Sequence, residues 1–180
     1  MCFSRTADMF RMGDGADQLP DIAAQIITRL YAFDTGNGLA PSSTYGGGCY
    51  LIARAVNQIL GNKYRLHICG LKKRRGDQTI LTPHVVCIGP HGALVDAKFR
   101  FVHAESAQES MPYTPRFRMG GFYPDRPFSD YVLNVTRNDF TDEQTSYGDT
   151  YRATYIGLFN KIATGRISHE WSQALNYITA

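Results

Sequence analysis

At Gly61–Asn62 the apolar residues change their period, and this switch limits the possible folds of the chain more than any other feature. Before it, Ile52, Ala53, Val56, Ile59 and Leu60 recur at helical spacing from Cys49 onward. After it, "YRLHICGL" from Tyr64, "TILTPHVVCIG" from Thr79 and "ALVDAKFRFV" from Ala93 read as strands, parted by turn signals at "RRGDQ" and "GPHG". A helix buries one face by repeating every three to four residues and a half-buried strand does so by alternating, so the two patterns exclude each other locally. Gly and Asn are also the residues that end helices in the left-handed conformation. The expected class is α+β, with one helix packed on a small antiparallel meander.

The flanks extend this plan. "LPDIAAQIITRLYAF" spaces Ile22, Ile26, Ile27 and Leu30 on one helical face, with Pro20 and Asp21 suited to a first turn. "DTGNGLAPSSTYGGG" is dense in Gly, Ser, Asn and Pro and reads as a surface loop leading into Cys49. The stretch His103 to Asn138 is rich in Pro, Gly, Arg and aromatics ("MPYTPRFRMGGFYPDRPF") and reads as irregular structure wrapped over the core. Two further helices are expected around "TYIGLFNKIA" and "SHEWSQALNYI", parted by Gly165. A length of 180 residues fits a single domain, with its core at about 20–102 and the covering segment and helices in 103–180.

Bulk composition narrows the classes of function. A net charge of +3 is mild, and the one dense basic run, "KKRR" at Lys72 to Arg75, reads as a solvated hairpin tip, so a nucleic-acid partner is disfavoured. Four cysteines, Cys2, Cys49, Cys69 and Cys87, match neither a disulfide scaffold nor a paired zinc motif and are read as reduced thiols. No window approaches the ~20 apolar residues of a membrane span, and the first residues carry no apolar signal core. Cytoplasmic synthesis is expected, and export as an effector by a route without a cleaved signal stays open.

Three glycines, Gly46 to Gly48, precede a cysteine that opens the amphipathic helix. A helix N-terminus lowers a thiol pKa through its dipole and free N–H groups, and glycines let a substrate approach the backbone closely. The alternative for Cys49 alone is a small buried core residue. A histidine and an orienting group shift the balance, because a nucleophilic thiol needs both. In "TPHVVCIGPHGALVDA", His84 lies on one strand and Asp96 on the next. With an odd hairpin loop centred near Pro90 the two face each other directly. With an even loop, His84 pairs with Ala97 and Asp96 points to the opposite face unless a bulge intervenes.

The order of "GGGCYLIARAV", "PHVV" and "GALVDA" resembles the papain-like cysteine hydrolase superfamily in its transglutaminase-like and NlpC-type branches, over roughly Gly46 to Phe101. The resemblance implies a papain-like fold with Cys49 as nucleophile, His84 as general base and acid, and Asp96 as orienter of the imidazole. It implies hydrolysis of an amide or isopeptide bond in a protein or peptide substrate, as a peptidase, deamidase or amidase such as a bacterial or phage effector, with no cofactor. The chain lacks the glutamine that papain-type peptidases place upstream of the cysteine, and Val85 replaces the tryptophan that often follows the histidine in transglutaminases. The oxyanion donors are therefore expected from the backbone around Gly48 and from Tyr45 or Asn37. A transglutaminase or acyltransferase with the same triad, and a non-catalytic binding or inhibitor protein on the same scaffold, remain open alternatives.

The other candidates have simpler readings. His67, Cys69, His84 and Cys87 contain thiolate and imidazole donors of the kind zinc prefers. However, His84 and Cys87 are three apart and face opposite ways on a strand, so no metal site is expected. His91 is expected in an exposed turn, His103 at a strand end, and His169 on a helix surface beside Trp171. Arg116, Arg118 and Arg126 among aromatics suit a substrate groove or, more simply, a segment that seals the core.

Overall fold

The computed structural model describes residues 19–39, 48–89, 94–96, 102–103, 126–143 and 145–180. Tyr45, Gly46, Gly47, His91, Arg116 and Arg118 lie outside them, as do most of the covering segment and residues 97–101 of the expected third strand.

The switch at Gly61–Asn62 is real. Helix α1 (Leu19–Gly36) buries Ile26, Leu30 and Phe33, and helix α2 (Cys49–Ile59) buries Leu51, Ile52, Ala55 and Val56. Each Val, Leu, Ile or Phe side chain among these contributes on the order of 1.5–3 kcal/mol when removed from water. Helix α2 ends where Gly61 and Asn62 take φ of 73° and 57°, and the Asn62 N–H returns to the Asn57 carbonyl. Strands β1 (Arg65–Arg75) and β2 (Gln78–Ile88) then form a long antiparallel hairpin in which Arg75 faces Gln78 across the two-residue turn Gly76–Asp77. Gly76 carries the positive φ, 59°, that such a tight turn demands. The basic run therefore ends a strand instead of forming the tip itself, and its last member, Arg75, is bonded to Asp142 and stacked over Tyr147.

Helices α3 (Tyr147–Thr164) and α4 (His169–Thr179) follow near the C-terminus. The first starts earlier than "TYIGLFNKIA" suggested. Gly165 ends it in the left-handed conformation, and Ser168 caps the second by accepting the Trp171 N–H. His169 is exposed at the start of α4, as expected.

The third strand requires correction. It is described only as β3 (Leu94–Val95), antiparallel to β2. Val102–His103 (β4), expected at the end of the same strand, instead pairs in parallel with Arg126–Pro127 (β5) in a separate two-stranded sheet. A further strand inside the presumed irregular segment, β6 (Tyr131–Val132), joins the far edge of β1, giving the order β3-β2-β1-β6. Alternation marks a strand but not its partner, which depends on contacts made far along the chain.

The result is an α+β arrangement in which the sheet separates two apolar clusters. On one side Val85 and Cys87 pack with α1, α2, α4 and Leu158 of α3. On the other side lie Cys69, Leu71, Val86, Leu94 and Tyr131.

Candidate active site

The first turn of α2 is built without a side-chain cap. Gly48 occupies the N-cap, makes no side-chain hydrogen bond, and no acidic residue lies in the turn. The first N–H groups of a helix have no intrahelical partner, so this end presents donors and the positive end of the dipole to Cys49. Cys49 itself is 6% exposed.

His84 comes from β2, where it faces Cys69 of β1. The body of α2 lies over the alternate positions Val85 and Cys87, and the Cys87 thiol donates to the Ala53 carbonyl at 3.0 Å. The first residue of the helix reaches His84, whose imidazole is hydrogen-bonded to the Cys49 side chain. The other partner of the ring is Asp96, with Nε2 to Oδ2 at 2.6 Å and both side chains almost wholly buried. Since Nε2 is bonded to the carboxylate, Nδ1 is the nitrogen left to serve the thiol. Cys49, His84 and Asp96, far apart in sequence, are thus brought together.

The register that achieves this is neither of the two weighed from the sequence. Cys87 faces Val95 and Ile88 faces Leu94, which centres the turn on position 91 instead of on Pro90. The continuation of that ladder places Asp96 opposite Val86, one pleat from His84 and on the same face. The loop is odd, as the triad requires, but the pair is diagonal. Diagonal neighbours on a sheet face lie within reach of long or ring-bearing side chains.

Electrostatics follow from this packing. Burial disfavours the charged ring of His84. The Asp96 carboxylate, through its charge and its hydrogen bond, and Cys49 together outweigh that cost and raise the imidazole pKa from 6.5 to about 9. The other two described thiols are pushed the opposite way from reactivity. Burial, then the Asp96 charge, raises Cys87 to about 12, and burial, Asp96 and Cys49 raise Cys69 well above the ordinary thiol value. Cys49, Cys69 and Cys87 are all free of disulfides.

Asn37 and His67, both weighed in the sequence, make backbone contacts of their own. Asn37 donates its side-chain amide to the Phe33 carbonyl at 2.7 Å, closing the end of α1. His67 contacts the Leu133 carbonyl through Nε2 at 2.8 Å. Among the described residues no group of three or more His, Cys, Asp or Glu side chains is placed to hold a metal ion. No described helix is long and apolar enough to cross a membrane.

One residue at the site was missed. The Tyr131 hydroxyl donates to Asp96 Oδ2 at 2.8 Å, and its ring centroid lies 6.5 Å from that of His84. The available signal was the alternation of Tyr131, Leu133 and Val135 within a stretch read as irregular.

Comparison with protein-family models, with curated proteins and with solved structures gives no match for this chain. The functional reading therefore rests on the geometry of the site.

Proposed function

We propose that the protein is a papain-like cysteine hydrolase that cleaves amide or isopeptide bonds in a protein or peptide substrate through Cys49, His84 and Asp96. One observation carries the reading: a cysteine at an uncapped helix N-terminus is hydrogen-bonded to a histidine whose other nitrogen is held by a buried carboxylate. Any single element of this set is common in protein cores. Their convergence is what nucleophilic thiol chemistry needs.

In the mechanism, the Cys49 proton resides on His84 Nδ1, whose raised pKa favours the imidazolium at neutral pH, and the thiolate sulfur bonds to the substrate carbonyl carbon. The backbone N–H groups around Gly48 and Cys49 hold the resulting oxyanion. The C–N bond then breaks as His84 returns its proton to the departing amine, leaving a thioester. Water, deprotonated by His84, attacks that thioester, the C–S bond breaks, and the thiol is restored with a carboxylic acid product. Asp96 keeps the ring oriented and stabilises the imidazolium in both half-reactions.

The test is covalent labelling followed by substrate profiling. A peptide-aldehyde or vinyl-sulfone library is expected to modify Cys49, and hydrolysis of matched amide substrates is expected to vanish in Cys49→Ala and fall by at least 100-fold in His84→Ala. Labelling spread evenly over the thiols, or hydrolysis that survives Cys49→Ala, would overturn the assignment.

A further inference from the structure

Tyr131 sits on the opposite edge of the sheet from Asp96: β6 lies beyond β1, whereas β3 lies beyond β2. Its side chain nevertheless reaches Asp96 across the face it shares with Cys69, Leu71 and Val86. Between the two residues the chain departs and returns through the parallel pair β4–β5. Two donors, His84 Nε2 and the Tyr131 hydroxyl, therefore converge on one oxygen, Oδ2 of Asp96, at 2.6 and 2.8 Å. All three side chains are buried, with residue exposures of 4%, 5% and 8% for His84, Tyr131 and Asp96.

A carboxylate on a short side chain at the end of a strand has two free torsions, and a single hydrogen bond leaves it able to swing about that bond. A second donor from a different strand removes this freedom. We infer that Tyr131 is a positioning residue of the proposed triad, holding Asp96 Oδ2 in line with His84 Nε2 so that the opposite nitrogen stays aimed at Cys49. The inference rests on the triad reading for its catalytic meaning, but the Tyr131–Asp96–His84 link exists whether or not Cys49 performs chemistry. Strand β6 is on this view part of the site, and the C-terminal portion of the chain contributes one of its working parts.

The deciding experiment is a double-mutant cycle on the full chain, with Tyr131→Phe, Asp96→Asn and the double variant, and Tyr155→Phe as control. Tyr155 is another C-terminal tyrosine whose hydroxyl meets a backbone carbonyl, that of Val135, away from the triad. Two quantities are read: the NMR titration midpoint of the His84 ring and the second-order rate of Cys49 alkylation by iodoacetamide at pH 7. Tyr131→Phe keeps the ring volume and is expected to lower the His84 midpoint by about one unit and to slow alkylation three- to tenfold. It should add nothing in the Asp96→Asn background, because coupled residues are non-additive. Tyr155→Phe should change neither reading.

An unchanged midpoint overturns the proposal. So does a raised midpoint, which would mean that Tyr131 only drains charge from the carboxylate. Equal effects with and without Asp96, or a Tyr131→Phe protein that no longer unfolds cooperatively, would reduce Tyr131 to a packing residue. A shifted His84 midpoint with Cys49 alkylation flat in every variant would retain the link and reject the hydrolase reading, so the two failures are distinguishable.

Discussion

Asp96 lies one pleat along from His84 on the face they share, not directly across from it, and the 2.6 Å bond between them runs diagonally from the end of β3 to β2. The diagonal makes the pair sensitive to register. A slip of one residue would turn the carboxylate to the other face, where the same sheet packs on α2.

Thiol selectivity is the first consequence. Cys69 and Cys87 are held as thiols by burial, while Cys49 opens a helix beside an imidazole. Iodoacetamide at neutral pH is expected to modify Cys49 at least tenfold faster than Cys69 or Cys87, with an apparent pKa below the ~8.5 of a free cysteine. In His84→Ala that pKa should rise. Peptide mapping of the alkylated native protein and the variant, as a function of pH, checks both statements, and a reactivity shared with Cys87 would contradict them.

Stability should depend on pH through His84. Its folded value of about 9 lies above its unfolded value of 6.5, so folding binds a proton. The associated stabilisation is fully present below pH 6.5 and is lost as the pH rises through 9, with an upper limit of roughly 3 kcal/mol. Thermal denaturation between pH 6 and 10 is expected to show the decline in the native protein and a much flatter profile in His84→Asn.

Asp96→Asn tests the same pair through activity. The amide keeps the shape and removes the charge that raises the imidazole. For the proposed hydrolase, the alkaline limb of the pH–rate profile is expected near the His84 value in the native protein and should move down by one unit or more in Asp96→Asn, with kcat reduced at neutral pH. A limb that stays in place would show that Asp96 does not govern the ring.

Gly148 predicts a packing effect remote from the site. A Cβ at this position would meet the Asp142 backbone nitrogen at 2.7 Å, and backbone cannot swing aside as a flexible side chain does. Gly148→Ala is expected to destabilise the protein by about 1–3 kcal/mol despite the better helix propensity of alanine. Urea denaturation measures this, and a neutral or stabilising result would mean that the backbone at Phe140–Asp142 relaxes freely.

The helix cap at Ser168 provides a calibrated comparison. Its hydroxyl accepts the Trp171 N–H at 3.2 Å. Ser168→Ala should cost about 1 kcal/mol in the same denaturation experiment, and Ser168→Asp should cost almost nothing.

The elements readable from sequence were those with local causes. Helix α2 was legible because its apolar residues hold one face and Gly61 and Asn62 supply the left-handed stop. The β1–β2 hairpin was legible because alternation on both arms meets a glycine turn. Residues Cys49, His84 and Asp96 stood out because a glycine-led cysteine and a strand histidine each have chemical meaning in isolation. Tyr131 gave no comparable sign. It stands in a stretch whose prolines and glycines hide a two-residue strand, and its partner is far upstream.

The sequence by itself determined the α+β class, the four helices among the described residues, the long hairpin and the identity of the three residues that could form a triad, because periodicity, caps and turns act over a few residues. Only the tertiary structure decided the hairpin register that puts Asp96 diagonal to His84, the transfer of Val102–His103 to a second sheet, and the arrival of Tyr131 at the carboxylate. Those outcomes depend on which distant surfaces bury one another, and a one-residue shift in pairing changes them without altering any local pattern.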